Sequence, residues 1–256
     1  MSNEHQKYLS QIKRHKLLII LSQISITLIF IISWELLSKY EIINSFIFSS
    51  PSKIINTIYN LYLNNNLFYH IGVTLKEILL SFIIGSLLGF IIAIIFYLVP
   101  TLKKIFDPFL TLFNSLPKVS LGPLLIIWLG ANIKSIIIMS LLINTIVTLI
   151  SIYNGLINTD QYRIKMFKTF KATKYQTLIY LIIPHNKEAI ISSLNLNISM
   201  SLIGVIMGEF LVSKAGIGYL ILYGTQVFNL NLVMSGIVLI MIISFIIYKL
   251  INVLEK

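Results

Sequence analysis

The sequence predicts an all-α, polytopic membrane protein with about six transmembrane helices. Hydrophobic residues make up 57% of the chain, charged residues only 11%, and the mean hydropathy is +0.89. A soluble fold of this composition would expose more apolar surface than water tolerates. A membrane crossing needs roughly 20 apolar residues, and six stretches qualify: 17–37, 74–99, 106–129, 135–155, 189–212 and 232–251. The connections between them divide by charge. With the N-terminus in the cytoplasm, most of the 20 Lys and Arg residues fall on that side, and Lys39, Lys53, Lys134 and Lys214 fall on the other. The net charge of +11 is therefore a topology signal, and no nucleic-acid partner is needed to explain it.

The elements follow in order. A basic tail, 1–16, carries Lys7, Lys13, Arg14 and Lys16 ahead of the first span, 17–37. A signal peptide opens the same way, but this apolar run is longer and ends at Ser33-Trp34-Glu35 without a small-x-small cleavage site, so it reads as a retained helix. Residues 38–73 form an extracytoplasmic segment. Within it, 52–63 has helical spacing, with Ile55, Ile58, Tyr59 and Tyr62 on one face, suited to a protein partner or to the outer bilayer surface. Residues 74–256 make a five-helix core. Its first helix has a stripe of small residues, Ser81, Gly85, Gly89 and Ala93, of the kind that lets helices approach closely in lipid.

In the third span Pro117 and Pro123 each remove a backbone donor. A broken membrane helix survives only where protein or a cavity satisfies the freed groups, which puts this span beside a passage. Lys118 at the break and Glu209 late in the fifth span are charges at or near membrane depth: contacts for gating or substrate, or else ion-paired or snorkelling groups. Ser140, Asn144, Thr148, Ser151 and Gly155 share one face of the fourth span, while Ser192, Asn195 and Ser199, and Ser193, Asn197 and Ser201, form two rows on the fifth. Two readings stay open. These groups either line a passage for a polar solute or join helices, each contributing about 0.5–2 kcal/mol.

Between Thr159 and Pro184 the chain writes two short amphipathic helices. Tyr162, Met166, Phe167 and Phe170 fall at helical spacing in the first, with Arg163, Lys165, Lys168 and Lys171 on its other face; Tyr175, Leu178, Ile179 and Ile182 repeat the apolar stripe in the second. Thr173 and Gln176 read as a capping box that starts the second helix, and Pro184 bends the chain before it re-enters lipid. Such a hairpin grips a soluble partner or lies on anionic headgroups.

Absent motifs narrow the mechanism. The chain has no Cys, which excludes disulfides and thiolate chemistry, and His5, His15, His70 and His185 lack metal-ligand spacing. No Gly-rich loop ends in Gly-Lys-Ser/Thr to cradle ATP phosphates, and no Ser/His/Asp or His-Glu-x-x-His set marks a hydrolase. The chain reads as non-enzymatic, with energy arriving from a partner. A secondary transporter would show inverted repeats and mid-membrane ionisable groups, and no convincing repeat is visible.

Asp107-Pro108, Leu116-Pro117-Lys118-Val119-Ser120-Leu121-Gly122-Pro123 and Trp128-Leu129-Gly130 stand in a shared order with Trp34-Glu35-Leu36, Ser50-Pro51, and Glu209 followed by Ala215-Gly216-Ile217-Gly218-Tyr219-Leu220-Ile221. Together they resemble the six-span permease subunits of ATP-binding-cassette importers of the nitrate, sulfonate and taurine type, over nearly the whole chain. The resemblance implies a type I importer permease fold and a homodimer around one passage. It also implies a cell-membrane location with both termini cytoplasmic, ABC ATPase subunits beneath, and an extracytoplasmic substrate-binding protein above. ATP and Mg would be bound by the ATPase, leaving no cofactor in this chain. The implied cargo is a small solute of the sulfonate, taurine, nitrate or vitamin-precursor class.

The loop 156–188 lines up with that family's cytoplasmic coupling loop, making Arg163, Lys165, Met166, Phe167, Lys168, Phe170, Lys171, Ala172, Thr173 and Pro184 the ATPase-coupling residues. Pro117, Lys118, Pro123, Ser140, Asn144, Thr148, Asn195, Ser199 and Glu209 stand as the translocation path. Lys165, Met166 and Phe167 occupy the family's Glu-Ala-Ala positions and Lys171 its Gly position. Gly serves a left-handed turn there, and a lysine in that conformation costs about 1 kcal/mol. A basic peg needs a cleft of suitable charge, hence a dedicated ATPase or poor coupling. With coupling lost, the chain would be an orphan membrane scaffold.

Overall fold

The computed structural model describes residues 3–64 and 66–253. Residues 1–2 and 254–256, and the side chains of His5, Lys7 and Lys13 in the basic tail, lie outside the described residues. Every described element is helical: α1 (Asn3–Lys39), α2 (Ser45–Phe48), α3 (Pro51–Leu63), α4 (Leu67–Leu98), α5 (Pro100–Ser115), a 3-10 turn (Lys118–Leu121) and α6 (Gly122–Leu129). Then come α7 (Ile133–Ile157), α8 (Gln161–Thr169), α9 (Lys174–Thr177), a π turn (Leu178–Ile182), α10 (Ile183–His185), α11 (Lys187–Val212), α12 (Ile217–Gln226) and α13 (Leu230–Val253). Among the described residues, five helices are long and apolar enough to cross a membrane, and the bent pair α5–α6 makes a sixth if it counts as one span.

The centre is a trio, α4, α7 and α11, that meets through small residues. A Cβ on Gly85 would strike Asn144, one on Gly89 would strike Thr148, one on Gly204 would strike Ser140, and one on Gly208 would strike Ile136. These pairings ascend together along α4 and α7 and run oppositely along α7 and α11. So α4 and α7 are parallel and α11 antiparallel to both. Parallel neighbours need a crossover, and Pro100–Ser115 with Lys118–Leu129 supplies it, its two arms meeting at 87°.

That bend is written locally. Leu116 is extended (φ −64°, ψ 137°), as a residue before proline prefers, and Pro123 stands in the first turn of α6, where a missing N–H is harmless. The expected third span, 106–129, therefore differs in two ways. It begins at Pro100, another first-turn proline, and it is two arms rather than one interrupted rod. The second span also starts earlier than 74, at Leu67, and the added turns bring His70 into the core.

Around the trio, α12 and α13 pack on α4 through Leu67, Ile217, Ile221, Leu239 and Ile243. The α12 helix lies inside what the sequence reading left as a plain connection between spans. Meanwhile α1 leaves its apolar side chains from Leu17 to Ile32 exposed, as a lipid-facing helix would. Its C-terminal end is tied down: Ser52 donates to the Glu35 carboxylate from its N–H (3.0 Å) and hydroxyl (2.8 Å), and Ser38 Oγ donates to the Ser49 carbonyl (3.2 Å). In α3 the inward face is Ile54, Ile58 and Leu61, while Ile55, Tyr59 and Tyr62 stay exposed. Of the expected apolar face, only Ile58 turns to the protein.

Candidate functional site

The hairpin begins at Asp160, whose side chain accepts the Tyr162 N–H (2.9 Å) and caps α8. At the other end, Lys171 has φ +57°. Its N–H bonds the Lys168 carbonyl (2.9 Å), and the Ala172 N–H bonds the Phe167 carbonyl (3.1 Å). This pair of bonds is a Schellman motif, normally closed by Gly. Lys171 thus takes the left-handed conformation expected of the Gly position. Two residues on, the Thr173 N–H donates to Gln176 Oε1 (2.8 Å) and the Gln176 N–H to Thr173 Oγ1 (3.2 Å), the anticipated capping box.

The second arm is not one uniform helix. After α9 the backbone widens into the π turn Leu178–Ile182 just ahead of Pro184, which has no N–H to continue the ladder. Asn186 then closes the hairpin onto α7, its Nδ2 donating to Thr159 Oγ1 (2.6 Å) and to the Ile182 carbonyl (2.8 Å). Arg163 Nη1 meets His185 Nδ1 (3.2 Å) across the two arms, and its Nε pairs with Asp160 at 3.8 Å.

Burial splits the apolar residues into two sets. Leu178 and Ile182 are fully buried with Ala93, Ile152 and Leu156, and Ile164 packs against them. Outward stand Tyr162 (81% exposed), Phe170 (77%), Met166 and Tyr175, beside exposed Arg163, Lys165, Lys168 and Lys171. Phe167 is half-buried, as is Ala172; Thr173 and Pro184 are exposed. The stripe read from the sequence is thus mostly the free face. Ile164 marks the seated one.

The polar residues of α7 and α11 form a closed network. Asn144 Nδ2 donates to the Ser81 carbonyl (3.0 Å) and to Ser201 Oγ (2.6 Å), Ser201 Oγ to Asn197 Oδ1 (2.9 Å), Ser140 Oγ to the Ser201 carbonyl (3.1 Å), and Thr148 Oγ1 to the Asn144 carbonyl (2.8 Å). Asn197 Nδ2 completes it on Thr148 Oγ1 at 2.5 Å. All are fully buried. Ser140, Asn144 and Thr148 thus stand fully buried, with hydrogen bonds that cross between α4, α7 and α11.

The remaining path residues scatter. Ser199 is exposed and, with Ser244 and Tyr248, lines a cavity of about 200 Å3 between α11 and α13, while Asn195 is half-buried. Pro117 and Pro123 are exposed at the bend, and Lys118 Nζ donates to the Asn114 carbonyl (3.2 Å). Glu209 is fully buried, accepting from Thr74 Oγ1 (2.6 Å) and the Gly218 N–H (2.5 Å). It caps the start of α12, whose Gly216 N–H bonds His70 Nδ1 (3.0 Å) and Ile217 N–H bonds Thr74 Oγ1 (2.8 Å).

A polar cleft that sequence reasoning missed lies between α5 and α7. About 370 Å3 in volume, it is lined by Lys103, Asp107, Thr111, Asn114, Tyr153 and Asn154 among others. Lys103 pairs with Asp107 (2.7 Å) and stands 5.4 Å from the centre of the Tyr153 ring. The i, i+4, i+11 spacing of Lys103, Asp107 and Asn114, which puts them on one helix face, was the available signal, obscured because 100–105 read as a loop.

Residues 85–256 match the family described as binding-protein-dependent transport system inner membrane component. A chain of Haemophilus influenzae named "Probable ABC transporter permease protein" is 28% identical over 84% of this chain and 87% of its own length. The taurine transport system permease protein of Escherichia coli is 23% identical, covering 83% of this chain and 79% of its own. Among solved structures, the inward-facing MetNI methionine ABC transporter superposes with a TM-score of 0.63 at 16% identity, over 71% of this chain and 90% of that one. At that identity the likeness concerns the fold, that of a type I importer permease.

Proposed function

The chain belongs to the binding-protein-dependent transport system inner membrane component family, as a non-catalytic ABC permease subunit whose ATPase is a separate chain, and from this we propose the following working arrangement. Two copies enclose one passage. Both termini and the hairpin face the cytoplasm, where an ATPase that binds ATP and Mg takes the hairpin's outer face, and a binding protein delivers a small solute from the other side. The cargo belongs to the sulfonate, taurine, nitrate or vitamin-precursor class.

One observation carries the docking role. The hairpin is anchored through Leu178 and Ile182 into α4 and α7 and presents Tyr162, Met166 and Phe170 among lysines. An exposed aromatic cluster rimmed by charge is what a protein interface requires. Force on it passes straight into the trio, because the seam of Asn144, Ser201 and Thr148 leaves no slack. When ATP draws two hairpins together, each trio tilts as a unit. The α5–α6 pair contributes Pro117, Lys118 and Pro123, together with the cleft of Lys103, Asn114 and Asn154, to the passage wall.

The unconventional Lys165 and Lys171 favour the orphan-scaffold reading, but the Schellman motif closed by Lys171 speaks for an intact peg. Co-reconstitution in proteoliposomes with the cognate ATPase and binding protein decides between them. ATP hydrolysis that rises with loaded binding protein supports an importer; hydrolysis indifferent to it supports the scaffold.

A further inference from the structure

Two carboxyl groups lie buried at the end of the seam far from the hairpin, apart from both the docking face and the polar cleft. Glu77 of α4 is 2% exposed and Glu209 of α11 is 0% exposed, and Thr74, one turn before Glu77 on α4, donates its hydroxyl to Glu209 (2.6 Å), which sets the two carboxyl groups at one place in the core. Their surroundings are unequal. Glu209 accepts from the Thr74 hydroxyl and from the Gly218 N–H at the head of α12. Glu77 Oε2 is buried with no donor at all.

Among the described residues no cation pairs with either carboxyl group within 4 Å, and Lys76, the neighbour of Glu77 in sequence, acts on it only through space. The ion pairs within 4 Å among the described residues are Lys103–Asp107 and Arg163–Asp160, and the nearby Lys76 and Lys214 are exposed. His70 accepts the Gly216 N–H on Nδ1, so that nitrogen carries no proton and the ring is neutral. Tyr219 of α12, stacked on His70 at 5.9 Å, is the remaining titratable neighbour. The other elements packed here bring apolar groups: Ile58 and Leu61 of α3, Ile136 of α7, and Leu239 and Ile243 of α13. Among the described residues no three acids or histidines gather to hold a metal ion.

Two ionised carboxylates cannot share a dry site, so one of the pair holds a proton. Glu209, already met by two donors, is suited to be the ionised partner. We propose that Glu77 and Glu209 form a proton-binding site in which Glu77 carries the proton and donates it to Glu209, and that this bond holds α4 against the junction of α11 and α12. Loss of the proton sets two negative charges face to face and opens the far end of the trio. The site is independent of ATPase docking, and an ionisable pair within a membrane span is costly enough to call for such a role.

Infrared spectroscopy of the full-length protein in nanodiscs tests this. At neutral pH the carbonyl stretch of a protonated carboxyl is present, Glu77→Gln removes it, and Glu188→Gln, at an exposed acid, leaves it. Raising the pH removes the band and lowers the melting midpoint together, while Glu77→Gln, which keeps a donor toward Glu209, holds its midpoint across the same range. A parent protein without the band, a band untouched by Glu77→Gln, or a midpoint that follows sodium concentration at constant pH overturns the proposal.

Discussion

The Asn144 side chain fills the space that a Cβ on Gly85 would need, so the α4–α7 contact is set by the absence of a side chain on one helix and the presence of an amide on the other. Gly85→Val is expected to lower stability by about 1–3 kcal/mol, the usual cost of overpacking. Gly72→Ala, inside the same helix with nothing within 4 Å of its new carbon, is the control and is expected to raise the midpoint slightly, since Ala favours a helix over Gly by up to about 1 kcal/mol.

Removing the amide attacks the same seam from the other side. Asn144→Ala removes the donor to the Ser81 carbonyl and to Ser201 Oγ, and each hydrogen bond lost costs about 0.5–1.5 kcal/mol. Because Asn144 and Ser201 share one network, their double variant loses less than the sum of the singles. Denaturation in detergent of the four proteins of that cycle measures the coupling.

At Lys171 the prediction reverses sign. Its left-handed conformation costs about 1–2 kcal/mol for any residue with a Cβ, so Lys171→Gly tightens the hairpin and slows limited proteolysis within it. Lys171→Val, β-branched at a positive φ, accelerates cleavage there.

The cleft between α5 and α7 is tested by function. Asn114→Leu and Asn154→Leu are expected to lower solute uptake in proteoliposomes several-fold while ATPase binding and melting midpoint stay as in the parent. A matching fall in stability assigns these residues to packing.

Much of this architecture is legible in the sequence, for particular reasons. Ser81, Gly85, Gly89 and Ala93 share one helical face and are all fully or nearly fully buried, and Thr173 with Gln176 carries its geometry in two residue types. What periodicity cannot tell is which surroundings meet an apolar stripe. Ile55, Tyr59 and Tyr62, like Tyr162, Met166 and Phe170, have the spacing of a core face and are exposed. The short α12 was hidden by its length, although Ile217, Leu220, Ile221 and Gly224 have clean helical spacing and are buried. Glu77 was missed because its partner lies on a distant helix, 132 positions on in the numbering. For Ser140, Asn144 and Thr148, chemistry suits both passage and seam, and their full burial could not be read from residue type.

Docking of a partner ATPase on the hairpin is the claim on which the rest depends. A tagged pull-down from native membranes in mild detergent, with co-purifying proteins identified by mass spectrometry, tests it when repeated with Lys165, Lys168 and Lys171 changed to Glu. All three are exposed beside Tyr162, Met166 and Phe170, so the reversal alters the surface and spares the buried base. A P-loop ATPase is expected to be recovered with the parent and lost with the variant. An ATPase retained undiminished by the variant, or absent from the parent while a control importer keeps its own, contradicts it.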